Sequence, residues 1–233
     1  MLMKRSHDEA RVTVALPKGR LFEPAVNFLT SIDWADAKVK QMDRVLLLDD
    51  TARSVRYLLV RPSDVITYVS EGAADFGIVG KDVILEEARP VYEVIDLGFG
   101  ACYLAVAAPA GRFEAFDNPE DFYRSQLPEL RVATKYPKIA AEHFARRGIP
   151  IHSIALKGNV ELAPLVDLAD VIVDLVSTGG TLRANDLVEL ETIAQISARL
   201  VVNSVSLRVK PRIGSLLRAL HGRFDGKELG LEC

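Results

Sequence analysis

Short apolar runs alternate with segments of helical spacing along most of this chain, and that alternation constrains the fold more than any other feature. Residues 12–16, 45–48, 57–60, 76–79 and 94–97 read as strands, while 21–32, 63–71 and 82–88 read as helices. In the first helix Leu21, Ala25, Phe28, Leu29 and Ile32 share a face. Pro62 sits where a first helical turn tolerates a residue without an N–H. A second series follows a long apolar run at 101–107, with strands at 131–133, 152–156 and 171–176 and helices at 139–147 and 160–165. Residues 187–197 and 200–202 then look extended, and 213–220 look helical after Pro211. This pattern predicts an α/β fold of mainly parallel sheets flanked by helices. The texture changes near Gly98 and Gly100 and again after Ala184. Two lobes are therefore expected: residues 1–100 with 188–233, and residues 101–187. Sites in such folds lie at the C-terminal ends of strands or in the cleft between lobes.

The formal net charge of −3 supplies no global basic field, which argues against a nucleic-acid partner. Any anion must be met by local cations. The first eleven residues are charged and lack the apolar segment of a secretion signal. No apolar run approaches the ~20 residues that span a bilayer. A cytoplasmic protein without a membrane partner is expected. Cys102 and Cys233 lack metal-ligand spacing and read as a buried thiol and a tail thiol. His7, His143, His152 and His221 are scattered, and none is assigned to catalysis.

The most informative stretch is Val171-Ile172-Val173-Asp174-Leu175-Val176-Ser177-Thr178-Gly179-Gly180-Thr181-Leu182. A hydrophobic strand carries one acid, then two hydroxyls, two glycines and a third hydroxyl lead into a short helix-like piece. Glycines let the backbone approach a phosphate and allow positive φ, and backbone N–H groups and a helix start favour an anion. Asp174 within a buried strand calls for a partner. A ribose 2′,3′-hydroxyl pair would serve, so the acid and the loop together suit a ribose 5-phosphate. The plainer alternative is a strand followed by a Gly-Gly hairpin, with Asp174 at a sheet edge. A Walker-type loop is excluded because no Lys follows the glycines.

In Pro17-Lys18-Gly19-Arg20-Leu21 two cations flank a glycine where a strand hands over to a helix, a second geometry suited to anions. Arg44, Arg53, Arg56 and Arg61 lie nearby in sequence; Arg53 and Arg56 are expected to be solvated surface residues. Asp82 either caps a helix or faces the cleft. Lys135 follows a strand and suits a further phosphate contact. Glu161 begins a helix, where charge complementarity explains it, and a ribose or magnesium contact is the sharper reading.

Leu16-Pro17-Lys18-Gly19-Arg20-Leu21, Asp75-Phe76-Gly77-Ile78-Val79-Gly80-Lys81-Asp82, Gly158-Asn159-Val160-Glu161-Leu162-Ala163-Pro164 and the Asp174–Leu182 segment resemble the signature segments of the ATP phosphoribosyltransferase family, in order and in spacing. The likeness runs from about residue 11 to about residue 220. It implies a two-lobed fold like the type II periplasmic binding proteins, with a cleft for ATP, phosphoribosyl pyrophosphate (PRPP) and Mg²⁺. The implied reaction moves ribose 5-phosphate from PRPP to N1 of ATP and releases pyrophosphate, the first step of histidine biosynthesis. By the same likeness Asp174, Ser177, Thr178, Gly179, Gly180 and Thr181 hold PRPP with Glu161 near the sugar. Lys18, Arg20 and Arg44 act on pyrophosphate or ATP phosphates, Asp82 and Lys135 are further contacts, and Mg²⁺ arrives with the substrate. Longer members carry an additional C-terminal regulatory domain. Ending at Cys233, this chain resembles the short form, which implies a homo-oligomer, a dimer, joined by a regulatory subunit similar to histidyl-tRNA synthetase. Two alternatives remain: a cytoplasmic anion- or solute-binding module of the same fold, and a salvage phosphoribosyltransferase acting on a free base. The latter usually carries two adjacent acids, whereas Leu175 follows Asp174 here.

Overall fold

A computed structural model describes residues 11–42 and 45–221. The chain divides into two compact units, Met1–Gly100 with Ser197–Cys233, and Ala101–Ile196.

The first unit is built on five strands from its N-terminal part, β1 (Val12–Pro17), β2 (Leu47–Asp50), β3 (Val55–Val60), β4 (Phe76–Gly80) and β5 (Tyr92–Asp96), with a sixth, Ala198–Val202, from the returning chain. Their order is β2-β3-β1-β4, then Ala198–Val202, then β5. β1 lies between β3 and β4, parallel to both, and is almost wholly buried, as a strand covered on two faces must be. On one face Val12, Val14, Leu16, Phe76, Ile78 and Leu200 pack against Ala25, Val26 and Leu29 of the helix Phe22–Ser31. On the other, Ala15, Val79 and Val201 meet Val65 and Val69 of the helix Pro62–Ser70. That helix starts as expected, with extended Arg61 before Pro62 at its first position.

The second unit contains β6 (Cys102–Pro109), β7 (Leu130–Thr134), β8 (Ile151–Ala155), β9 (Val171–Val176) and β10 (Leu187–Ile196), in the order β10-β6-β9-β7-β8. Period-2 alternation sorts β9 onto two cores. Val171 and Val173 join Val106, Val132, Tyr123 and Phe144. Ile172 and Val176 join Ala105, Ala133, Val160 and Leu182. Ala198–Val202 is then β11.

Three expectations need correction. The sheets are mixed, not mainly parallel: β2–β3, β4–β11 and β5–β11 in the first unit are antiparallel, as are β10–β6 and β6–β9 in the second. Apolar runs report burial and carry no sign of strand direction. The second unit extends to Ile196 instead of 187, because β10 pairs along its length with β6. The second strand lies at Leu47–Asp50, not 45–48, placed by its antiparallel register with β3 (Leu47 opposite Leu58, Asp50 opposite Val55). Among the helices that passed unnoticed in the sequence, two have capping residues that are visible there. Asn118 accepts from Asp121 N ahead of Pro119–Ser125, and Asn203 accepts from Val205 N and Ser206 N ahead of Ser204–Val209. Among the described residues, no helix is long and apolar enough to cross a membrane.

Candidate active site

β9 is the central strand of its sheet, antiparallel to β6 and parallel to β7. Asp174 shares the parity of Ile172 and Val176, so it faces the same side as the turn carrying Val160. Its cross-strand partner is Ala105, a small residue that leaves room beside the carboxylate. A pocket of about 230 Å³ opens there. Glu161, Asp174, Ser177, Thr178, Gly179, Gly180 and Thr181 all line it. The structure thus gathers every residue read from the sequence as a candidate for PRPP.

Asp174 differs from the sequence picture in one respect. It is half-buried, not deeply buried, and its Oδ1 accepts from the Leu175 N–H at 2.8 Å. The hairpin alternative is overturned: the two glycines lead from β9 into a short helix, Gly180–Ala184. Gly179 stands at φ +69°, a conformation in which a side chain is strained. An added Cβ would also meet Arg183 Nη1 at 2.9 Å. Glu161 lies in the turn just before the helix Leu162–Leu165 and is half-buried.

β7 ends beside β9 with Thr134 opposite Val173. Lys135 follows, exposed, at the same end of the sheet as Asp174 but outside the pocket wall.

The remaining candidates are in the first unit. Lys18, Gly19 and Arg20 are exposed just past β1, where Lys18 N donates to Val60 O at 2.8 Å and Gly19 takes φ +82°. Phe22 N closes the turn on Gly19 O at 2.9 Å. The glycine therefore permits the sharp hand-over that sets the two cations on the surface. Arg44 lies outside the described residues. Asp82 is half-buried in the first turn of the helix Lys81–Glu87. It is not the capping residue, since the helix begins one residue earlier than expected, after Gly80. Its Oδ1 folds back so closely over Gly80 that a Cβ there would collide with it. Arg53 is held by Asp33 and Asp50 at 2.9 and 3.0 Å, and Arg56 by Asp49 at 2.7 Å, so both are half-buried and engaged in local ion pairs instead of being freely solvated as expected.

Sequence reasoning overlooked Arg183. Its guanidinium donates to Thr178 O at 2.9 Å, within the loop itself. The signal was present as an arginine four residues after Gly179, close enough for a helical side chain to reach back.

A family profile described as HisG, ATP phosphoribosyltransferase, matches residues 61–222. The chain belongs to that family. A relative from Geobacter sulfurreducens, named ATP phosphoribosyltransferase 2, is 46% identical over 210 residues, covering 90% of this chain and 96% of the relative. Among solved structures, the ATP phosphoribosyl transferase (HisG:HisZ) complex from Thermotoga maritima contains a chain 33% identical, with a TM-score of 0.75, covering 91% of this chain and 97% of that one. The alkanesulfonate-binding protein SsuA from Xanthomonas axonopodis pv. citri is 11% identical with a TM-score of 0.53, covering 93% of this chain and 73% of that one, and shares the fold alone. As a member of the ATP phosphoribosyltransferase family the chain is a pentosyltransferase, which sets aside the solute-binding alternative. The profile match spans Asp82, Lys135 and the whole pocket, and begins after Lys18, Arg20 and Arg44.

Proposed function

We propose that this protein transfers the 5-phosphoribosyl group of PRPP to N1 of ATP with release of pyrophosphate, opening histidine biosynthesis. The observation that carries this reading is the convergence of an acid, a second carboxylate and a hydroxyl-glycine loop on one pocket, in a member of a family named for this reaction. Asp174 accepts from the ribose hydroxyls. Ser177, Thr178 and Thr181, with the backbone of Gly179 and Gly180, surround the 5-phosphate. Glu161 stands near the sugar. Lys18, Arg20 and Arg44 meet pyrophosphate or ATP phosphates, and Asp82 and Lys135 are further contacts.

Adenine N1 has a free lone pair at neutral pH, so no strong base is required to create the nucleophile. As N1 bonds to ribose C1, the C1–O bond to pyrophosphate breaks, positive charge builds on the sugar and negative charge on the leaving group. The protein's task is electrostatic and positional. Fixed cations stabilise the departing oxygen, and two oriented reactants supply up to roughly 7–11 kcal/mol in well-aligned systems.

The donor set fits Mg²⁺ brought in with phosphates. Among the described residues no three His, Cys, Asp or Glu side chains form a cage. Glu161 and Asp174 do share a pocket, however, and Mg²⁺ commonly uses one or two carboxylates with substrate phosphates. Bound to pyrophosphate, the ion would neutralise leaving-group charge. We further infer a cytoplasmic homo-oligomer, a dimer, working with a regulatory subunit similar to histidyl-tRNA synthetase, a reading supported by likeness to one chain of a HisG:HisZ complex.

The test is pyrophosphate release together with absorbance of the adenine adduct, using PRPP, Mg²⁺ and either ATP or free adenine, with and without the regulatory subunit. Adduct with ATP and none with adenine is expected. Turnover of adenine alone would favour the salvage reaction and reject the proposal.

A further inference from the structure

The Thr178–Gly179 peptide is oriented by a side chain outside the pocket wall. Arg183 Nη2 donates to Thr178 O at 2.9 Å, and Arg183 N donates to Gly179 O at 3.1 Å. One residue therefore takes up two successive loop carbonyls. In a trans peptide the C=O and the following N–H point in opposite directions. With Thr178 O turned toward the guanidinium, Gly179 N–H is turned away from it. Thr178 and Gly179 line the pocket while Arg183 does not. Gly179 serves this arrangement twice, because φ is +69° and because the space of a Cβ lies 2.9 Å from Arg183 Nη1.

We propose that Arg183 is a positioning residue: by anchoring the Thr178 carbonyl it directs the Gly179 N–H into the pocket to donate to the 5-phosphate of the substrate. The inference rests on the PRPP reading of the pocket. Without the guanidinium, the peptide is free to flip and present a carbonyl oxygen to the anion, replacing a donor by a repulsive acceptor. Thr178 O would also lose a charge-assisted bond.

The experiment compares wild type, Arg183→Met and Arg183→Lys. Binding of ribose 5-phosphate and PRPP is followed by calorimetry, KM and kcat are measured for both substrates, and the Gly179 amide resonance is followed in ¹⁵N-glycine protein on addition of ribose 5-phosphate. Arg183→Met should weaken both sugar phosphates by about tenfold or more, the scale of one lost charged hydrogen bond. The KM for ATP should stay put, and the ligand-induced downfield shift of Gly179 should disappear. Arg183→Lys, which keeps a charged donor, should recover part of the affinity. Should the Met variant melt early, the Lys variant decides, through a smaller Gly179 shift accompanying its residual loss. Affinity within twofold of wild type in Arg183→Met overturns the inference. So does weakened binding with the Gly179 shift intact, which would mean that Arg183 touches phosphate directly. Wild type that binds neither sugar phosphate would instead sink the reading of the pocket.

Discussion

Thr134 Oγ1 donates to the carbonyl of Val173 at 2.6 Å, tying β7 to β9 one residue before Lys135 and Asp174. The same hydroxyl accepts from Tyr136 N at 2.9 Å, so a single fully buried side chain holds both a strand end and the start of the next helix. Replacing it by Val keeps the shape and removes both bonds. Thr134→Val should destabilise the protein by about 1–3 kcal/mol, since buried polar groups are left unsatisfied. Urea unfolding would read this as a lower midpoint at unchanged slope, and an unmoved midpoint would show the bonds to be dispensable.

Asp174→Ala should weaken PRPP binding by about 10- to 100-fold, the effect of removing an ionised acceptor from ribose hydroxyls. Calorimetry measures it directly. Equal affinity in the variant would reject the sugar-clamp role, although the protein would still bind phosphate through the loop.

Arg20→Ala should leave stability within about 0.5 kcal/mol, because the side chain is exposed. Turnover should fall by about 100-fold, the usual scale for one electrostatic donor at a developing anion. Steady-state kinetics beside thermal melting separates the two effects. An undiminished kcat would remove Arg20 from the catalytic set.

Glu191 supplies a pH dependence outside the pocket. Burial pushes its carboxyl up, but bonds from His143, Tyr123 and Arg147 outweigh that and hold it below its ordinary 4.5. Tyr123 OH lies at 2.8 Å and His143 Nε2 at 3.1 Å, and Arg147 forms an ion pair. A depressed folded-state pKa contributes stability that is complete above the unfolded value and lost as pH falls through the folded one. Glu191→Gln should therefore lower Tm at pH 7, and the gap to wild type should narrow as pH drops below about 4.5. A gap that stays constant to pH 3 would show that this carboxylate is not the source.

The pocket was readable because its chemistry is local in sequence. Asp174 and the loop through Thr181 lie within one strand-loop-helix unit, and positive φ at Gly179 is what glycine in such a loop announces. Glu161 joined them through strand parity, which puts Asp174 on the face that meets the turn after Gly158. Arg183 was overlooked because helical spacing lets its side chain reach back over the loop but does not by itself select the Thr178 carbonyl as its partner.

From the sequence alone came the alternation of strands and helices, the covered central strands, the loop that lines the pocket and the family. Those features follow from hydrophobic period and backbone chemistry, which act over a few residues. Tertiary structure decided the sense of strand pairing, the assignment of β10 to the second unit, the level ends of β7 and β9, and the contact of Arg183 with Thr178. Each of these depends on which distant segments satisfy one another's hydrogen bonds, and that choice is made only when the sheets assemble.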